Sequence, residues 1–184
     1  MSWHIREAVR QLAAGGIIAY PTDTVYGLGC DPLNGIAVLR LLELKHRSID
    51  PGVILIASDI TQLRPWLLPL SPAVKKRVTA RRKEPLTWTL PCAPEIPVWL
   101  RGNHATLAVR ITRHPVAAAL CQHWDGPLVS TSANIHGQHP ATKALRVLNN
   151  FNGSLDYILH GDCGSGRPSI IRDGLNGRIL RHPE

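Results

Sequence analysis

The amino-acid sequence predicts an α/β protein with a mixed sheet, because helical and strand patterns alternate along the whole chain. Its 184 residues fit one domain of ordinary size, and 44% of them are hydrophobic, which is enough for a buried core. Charged residues make up only 18% of the chain, a fraction that argues against disorder. Since no internal repeat, low-complexity segment or linker stands out, we expect residues 1–184 to form a single domain.

The individual elements are predicted from the spacing of apolar residues and from the residues that start or stop each run. Ser2 and Asn34 are expected to cap the first two helices, and Gly15 and Gly16 to end the first. Helical spacing predicts helices at 5–12, 36–44, 59–67, 71–82, 114–123 and 142–150. Short apolar or alternating runs predict strands at 17–20, 53–57, 86–90, 106–111, 128–130, 157–159, 169–172 and 178–180.

The chain is basic, with 21 Lys and Arg against 13 Asp and Glu and a formal net charge of +8. Such an excess indicates anionic partners, for example nucleic acid or a nucleotide. One local concentration of basic residues stands out: Lys75, Lys76, Arg77, Arg81, Arg82 and Lys83. We expect weak, electrostatic binding of RNA from this charge.

Cysteine usage and hydropathy predict the compartment. No two of the four cysteines are close in sequence, so we expect reduced, buried thiols rather than a metal or redox pair. The longest apolar runs, such as 53–57, are too short to cross a bilayer. The first six residues show no basic segment followed by an apolar stretch. These features predict a cytoplasmic protein that is not bound to a membrane.

Common chemical motifs do not identify an activity. The chain has neither the phosphate-binding Gly-x-x-x-x-Gly-Lys-Ser/Thr motif nor a Rossmann glycine fingerprint. The glycine-rich segment 161–166 could approach a phosphate, or it could be a plain surface loop. His136 and His139 have no third ligand nearby, so we expect no metal site. Ser130-Thr131-Ser132 lacks the setting of a hydrolase nucleophile.

Four segments in order carry a resemblance to a known family. They are Tyr20-Pro21-Thr22-Asp23-Thr24-Val25-Tyr26-Gly27-Leu28-Gly29, Leu44-Lys45-His46-Arg47, Leu107-Ala108-Val109-Arg110-Ile111 and Ser130-Thr131-Ser132-Ala133-Asn134. In this order and spacing they resemble the YrdC/TsaC family of threonylcarbamoyl-AMP synthases, in its short, single-domain bacterial form. The resemblance covers about residues 5–181.

The resemblance implies a fold and a reaction. The family fold is an open, twisted, mixed α/β sheet around a large, positively charged concave cleft. The family reaction adds the threonine amine to bicarbonate or CO2, and a carbamate oxygen then attacks the α-phosphorus of ATP with loss of pyrophosphate. Mg2+ is expected to accompany ATP. A threonylcarbamoyl transferase complex passes the group to the adenosine beside the anticodon in tRNAs reading codons that begin with A.

The substrates are all anions, so fixed cationic charge is the main catalytic requirement and no nucleophilic side chain is needed. The resemblance assigns Lys45 and Arg47 to catalysis at the triphosphate and carbamate, and both would face one cleft if that chain segment were extended. It assigns threonine binding to Thr24, Arg110 and Ser169. It assigns ATP binding to Lys45, Arg47, Thr106, Ser132, Asn134 and Arg181.

Each assignment has a structural alternative. Lys45 and Arg47 could simply pair with the C-terminal dipole of the preceding helix. Arg110 interrupts an apolar strand, so it needs an anionic partner, which could also be an acidic side chain of the protein. The segment 132–134 could be an ordinary turn.

Two other functions remain open from the sequence. One is a YrdC-like module that binds double-stranded RNA or tRNA without synthase activity, although such a module would not need a threonine-binding hydroxyl. The other is a paralogue that makes a different carbamoyl adenylate. The chain departs from the family pattern at Ser48 and Pro51, after the Lys-x-Arg motif, and at Glu84, where relatives carry a glycine and where a side chain would be costly at positive φ. Of these departures, Pro51 and Glu84 support the paralogue.

Overall fold

The structure is a computed structural model that describes residues 2–135 and 137–182. Its α-helices in this part of the chain are α1 (Trp3–Ala13), α2 (Gly35–Leu44), α3 (Pro72–Thr79), α4 (Val98–Arg101), α5 (Pro115–Trp124) and α6 (Ala144–Phe151). A 3-10 helix covers Ile60–Trp66. None of the helices in the described part is long and apolar enough to span a membrane.

The strands form one mixed, nine-stranded sheet within the described residues, in the order β7-β1-β2-β6-β3-β5-β4-β8-β9. Their bounds are β1 (Ile18–Tyr20), β2 (Gly27–Gly29), β3 (Ile54–Ala57), β4 (Leu86–Pro91), β5 (Thr106–Ile111), β6 (Leu128–Ser132), β7 (Tyr157–Ile158), β8 (Ile170–Asp173) and β9 (Ile179–Arg181). Three neighbouring pairs are parallel (β1 with β7, β3 with β5, β4 with β8), and the other five are antiparallel. The predicted α/β class with a mixed sheet is confirmed.

Both faces of the sheet are covered, as the period of two along a strand requires. Ile18 and Tyr20 pack with α1 and α5 on one face. Ile17 and Ala19 belong to the larger core on the other face, with α2, α3, α4 and the 3-10 helix. The first strand is therefore buried on both sides, and α1 and α5 lie next to each other beneath it.

The helix ends agree with the sequence in part. Asn34 caps α2 as predicted, because its side chain accepts a hydrogen bond from the Ala37 amide at 3.1 Å. The prediction for Ser2 is wrong, since its side chain makes no capping bond. The helix predicted at 59–67 is 3-10, with Pro65 inside it, because proline removes the amide that an α-helix needs. The helix predicted at 71–82 ends at Thr79.

Candidate functional site

A cavity of about 220 Å³ opens where the loop before β2 meets strands β5, β6, β8 and β9. Six of the nine residues assigned from the sequence line it: Thr24, Arg47, Arg110, Ser132, Ser169 and Arg181. Three of these are arginines, so the cavity carries concentrated positive charge. A second cavity, of about 430 Å³, also has Arg110 in its wall, so this residue lines both.

Arg110 lies on β5 and is held by hydroxyl groups. Its Nε and Nη2 donate to Thr87 Oγ1 at 3.1 and 3.0 Å. Nη1 donates to Thr24 Oγ1 at 3.2 Å, and Nη2 also donates to Ser169 Oγ at 2.5 Å. The fold thus brings together Thr24, Arg110 and Ser169, the three residues that the resemblance assigned to threonine, although they are far apart along the chain.

The charge of Arg110 is not neutralised by an ion pair. Only 7% of the residue is exposed, and no described carboxylate forms a salt bridge with it. Burial lowers the pKa of Arg110 to about 10, against a smaller opposing effect of Asp23. The alternative of a structural ion pair is thus not observed. A buried cation held only by neutral hydroxyls is suited to receive an anion.

Lys45 lies beneath the cavity rather than on its surface. It is 3% exposed, and its ammonium donates to the backbone oxygens of Ser132 and Asn134, the latter at 2.5 Å. The Asn134 side-chain oxygen lies 3.4 Å from the same ammonium. Burial, and then the charge of Arg47, lowers the pKa of Lys45 to about 7. Lys45 therefore ties α2 to the turn after β6.

The chain between Lys45 and Arg47 is not extended, so that expectation is wrong. His46 has φ 50, and the amides of His46 and Arg47 bond back to the carbonyls of Glu43 and Leu42. This is the Schellman pattern that closes a helix, with histidine in place of the usual glycine. The turn directs Lys45 inward under the segment after β6 and leaves Arg47 at the cavity.

Arg47 is held by two hydrogen bonds at the cavity wall. Nη1 donates to Thr131 Oγ1 at 3.0 Å, and Nη2 donates to the Gly52 carbonyl at 2.8 Å. Burial, and then the charge of Arg181, lowers the pKa of Arg47. Gly52 has φ 67, and a Cβ there would lie 2.7 Å from the Leu100 carbonyl oxygen, so the loop that holds Arg47 requires glycine.

The other assigned ATP-binding residues have different positions. Arg181, on β9, is exposed and lines the cavity. Thr106 begins β5 on the same face as Arg110, but it does not line the cavity. The amide of Asn134 donates to the carbonyls of Ile135 and Gln138 at 3.1 and 2.7 Å. Asn134 therefore stabilises its own turn, as the structural alternative for this segment predicted.

The loop that the sequence left undecided, at 161–166, packs against the loop that carries Thr24, and its residues Gly164 and Ser165 line the second cavity. The amides of Gly164, Ser165 and Gly166 donate to the carbonyls of Thr22, Asp23 and Thr24 at 2.9–3.0 Å. A Cβ at Gly164 would lie 2.1 Å from the Asp23 oxygen, so glycine is needed for this close approach. The segment supports Thr24 from behind.

Several residues at the site escaped the sequence interpretation. Thr22 and Thr131 line the cavity, and Thr87 holds Arg110. The only sequence signal was that each is a polar residue inside a mostly buried segment. Glu84 does not have positive φ, so the strain considered for it from the sequence is not present. Pro51 lies at the cavity wall, as its place after the Lys-x-Arg motif suggested.

A protein-bound metal finds no support among the described residues, where no group of three or more His, Cys, Asp or Glu could hold an ion. His136, one of the two loop histidines considered from the sequence, lies outside the described residues.

Fold and site define an α/β domain with an arginine-lined cavity in an open mixed sheet. The chain belongs to the Sua5/YciO/YrdC family, whose family model, described as telomere recombination, matches residues 10–182. The family resemblance stated from the four sequence segments is thus confirmed.

Individual relatives are similar over nearly the whole chain. A protein of Nitrosococcus oceani named threonylcarbamoyl-AMP synthase is 50% identical over 181 residues, covering 98% of each chain. One of Coxiella burnetii with the same name is 48% identical over 180 residues, covering 96% of each. The solved structure of P. abyssi Sua5 complexed with L-threonine matches with a TM-score of 0.91 and 31% identity. That match covers 98% of this chain, which spans about half (54%) of the Sua5 chain.

Proposed function

We propose that this protein is a threonylcarbamoyl-AMP synthase, an enzyme that condenses L-threonine, bicarbonate or CO2 and ATP to threonylcarbamoyl-adenylate and pyrophosphate. The observation that carries the proposal is Arg110, a buried cation that lines the cavity and has no acidic partner among the described residues. Full-length relatives at about half identity bear this name, and Sua5 binds L-threonine in a similar fold.

The carboxylate of threonine is the anion that fits Arg110. Thr24 and Ser169 lie within hydrogen-bond distance of the guanidinium and face the same cavity, so the three side chains form one subsite. A charge-assisted pair in this buried setting would be strong and directional. It would anchor the amino acid while its nitrogen, once carboxylated, presents a carbamate oxygen to ATP.

The triphosphate fits the side of the cavity that Arg47 and Arg181 line. The two bonds that hold Arg47 to Thr131 and Gly52 fix the plane of its guanidinium and leave its remaining N–H groups for an oxyanion. Ser132 adds a hydroxyl on the same wall. These groups would bring the anionic carbamate and α-phosphate together and stabilise the charge that develops as pyrophosphate leaves.

Lys45 acts from below. Its ammonium binds the backbone carbonyls on both sides of Ala133, and we infer that it sets the position of Ser132 and Asn134. Arg47 lies close enough for its positive charge to lower the pKa of Lys45. Mg2+ would enter on the triphosphate oxygens, where it would neutralise the leaving group.

The domain organisation, the partner enzyme and the contacts with tRNA are also part of the proposal. The strands of the described residues form one continuous sheet, and the site residues lie on it or on the segments that join its strands and helices, so we infer that residues 1–184 act as a single domain. The product is a reactive mixed anhydride, and we infer that a threonylcarbamoyl transferase complex takes it up and modifies tRNA in the cytoplasm. The basic cluster at 75–83 would give weak contacts to tRNA.

The test of the proposal is the release of pyrophosphate from ATP by the purified protein with Mg2+. Release is expected only when both threonine and bicarbonate are present. Release that ignores threonine would contradict the synthase assignment. RNA binding without any threonine-dependent reaction would instead support the module that only binds RNA. Use of another amino acid or amine in preference to threonine would support the paralogue.

A further inference from the structure

Four hydroxyl groups surround the guanidinium of Arg110, and they form two short chains. Thr87 Oγ1 and Ser169 Oγ lie 2.7 Å apart, and Thr22 Oγ1 and Thr24 Oγ1 lie 3.0 Å apart. Thr87 is fully buried and lines neither of the two cavities that meet at Arg110. A hydroxyl has one hydrogen and two acceptor positions, so its buried partners determine where the hydrogen points.

In the first chain the hydrogen of Ser169 is left for a ligand. Thr87 Oγ1 accepts twice from Arg110, from Nε and from Nη2, which fills both acceptor positions. Its hydrogen must therefore donate to Ser169. Ser169 Oγ then accepts from Thr87 and from Arg110 Nη2, so it is also filled. The hydroxyl of Ser169 can only act as a donor towards the cavity.

The second pair of hydroxyl groups, Thr22 and Thr24, leaves an acceptor rather than a donor for a ligand. Thr22 Oγ1 donates to the Val25 carbonyl at 2.7 Å and accepts from the Thr24 amide at 3.1 Å. Thr22 has no second hydrogen, so Thr24 must be the donor in the contact between the two hydroxyls. Thr24 Oγ1 also accepts from Arg110 Nη1. Thr24 Oγ1 therefore has one acceptor position left for a ligand, but it has no hydrogen left to donate.

We propose that Thr87 and Thr22 are positioning residues that fix the hydrogen-bond polarity of the threonine subsite, with Ser169 as a donor and Thr24 as an acceptor. The inference rests on the proposed function. A carboxylate, which only accepts, matches Arg110 and Ser169. The group at Thr24 must be a hydrogen donor of the same ligand, either its N–H or its hydroxyl. The amino acid is thereby held in one orientation.

Thr87 also selects the edge of Arg110 that the ligand reaches. Its single oxygen covers the edge formed by Nε and Nη2, on the side away from the cavity. Nη2 gives its second hydrogen to Ser169 and Nη1 gives one hydrogen to Thr24, and both of these side chains line the cavity. Of the five N–H groups of Arg110, this leaves one hydrogen on Nη1 without a partner among these contacts, so the carboxylate is directed to Nη1, where Ser169 can join the contact.

The test measures binding of L-threonine to the full chain by calorimetry in two matched pairs of variants. Thr87→Val removes the hydroxyl at nearly constant volume and should weaken threonine binding about tenfold or more, whereas Thr87→Ser keeps the hydroxyl and should stay within about threefold of wild type. The preference for L-threonine over L-threoninamide should fall in Thr87→Val. The affinity for ATP should not change in either variant.

Thr22→Val and Thr22→Ser form the second pair, with the same expected contrast, and they keep the inference testable if Thr87→Val does not fold. Binding of L-valine, which lacks the hydroxyl of threonine, shows which group of the ligand donates a hydrogen bond to Thr24. If that donor is the ligand hydroxyl, Thr24→Val weakens binding of threonine but not of valine; if it is the N–H, both weaken.

The inference is overturned if each Val variant binds threonine like wild type, if Ser and Val variants lose affinity equally, or if ATP binding falls in parallel. A wild-type protein that binds no threonine would instead overturn the proposed function itself.

Discussion

At the scale of single residues, variants of Arg47 distinguish an effect on catalysis from an effect on folding. Its guanidinium lines the cavity and is held by Thr131 and Gly52, and the side chain is half-buried rather than part of the core. Arg47→Ala should therefore melt close to wild type while adenylate formation falls about a hundredfold or more, as when an oxyanion donor is removed. Thermal melting and pyrophosphate release measure the two effects.

The matched control for Arg47→Ala is Arg146→Ala, which removes an exposed arginine on α6 and should leave activity unchanged. Arg47→Lys keeps the charge but loses the planar fork, so its activity should lie between those of Arg47→Ala and wild type. Full activity in Arg47→Ala would show that the triphosphate has been assigned to the wrong wall.

Lys45 is more deeply buried than Arg47, so the structure changes the expected effect of replacing it with alanine. Lys45 was expected at the cleft surface from the sequence, but it is buried and holds two carbonyls. Lys45→Ala should therefore lower both activity and stability. The expected cost is about 1–3 kcal/mol for each carbonyl left unpaired. Urea unfolding would show the loss, and a normal unfolding midpoint would contradict the contacts described.

The lowered pKa of Lys45 also predicts a pH dependence of stability. Because the pKa falls from 10.5 to about 7 on folding, the unfolded state binds more protons between these values, and stability rises with pH there. The difference in free energy of unfolding between wild type and Lys45→Met should grow in favour of wild type from pH 7 to 10. The increase is at most about 1.4 kcal/mol per pH unit. Parallel pH profiles for the two proteins would contradict a lowered pKa of the buried Lys45 side chain.

At the scale of elements, the segment around Gly164 supports the loop that carries Thr24. Gly164→Ala would place a methyl group against the Asp23 carbonyl and break the bond from its amide to Thr22. We expect a loss of stability on the order of 1–3 kcal/mol and a higher KM for threonine, with a smaller effect on the KM for ATP. Gly126→Ala is the control, since its Cβ would meet only ordinary contacts with Trp124. Equal KM values for wild type and Gly164→Ala would contradict this role.

Elements with strong local signals were predictable from the sequence. Asn34 followed by apolar residues at helical spacing gave α2, and the alternating run at 86–90 gave β4. Strand β2 was missed because Gly27-Leu28-Gly29 has no strand propensity of its own and is placed by pairing with β1 and β6. Helix α4 was missed because its four residues follow a proline-rich loop.

Only the site residues that could be matched to the family by resemblance were predictable from the sequence. Arg110, Thr24 and Ser169 were assigned by resemblance, and the fold brings them together. The burial of Lys45 was not predictable, because it depends on contacts with residues almost ninety positions away. The role of Thr87 was hidden for the same reason, since a threonine in a strand is common and only the pairing of β4 with β5 makes it part of the site.

At the scale of the whole molecule, the net charge of +8 predicts weak binding to RNA that falls steeply with salt. Lys75 and Lys76 are exposed on α3, away from the residues that line the cavity. Lys75→Glu with Lys76→Glu should weaken tRNA binding without changing adenylate formation. The salt slope should fall by about one for each phosphate that the protein no longer neutralises. Fluorescence anisotropy across a salt series measures both the affinity and the slope.

Arg6→Glu, at an exposed position on α1, is the control for a change of charge elsewhere on the molecule. It should leave tRNA binding closer to wild type than the double variant on α3 does. An equal effect of the two changes would contradict a localised RNA surface.

The central claim is that one arginine-lined cavity joins an amino acid, a one-carbon anion and ATP. The most direct measurement is mass spectrometry of the nucleotide product formed from ATP, L-threonine and 13C-labelled bicarbonate with Mg2+. The account predicts an adenylate that contains threonine and the labelled carbon, formed by wild type and reduced to background in Arg110→Ala. An adenylate of threonine without the labelled carbon, or a labelled product whose yield does not depend on Arg110, would contradict it.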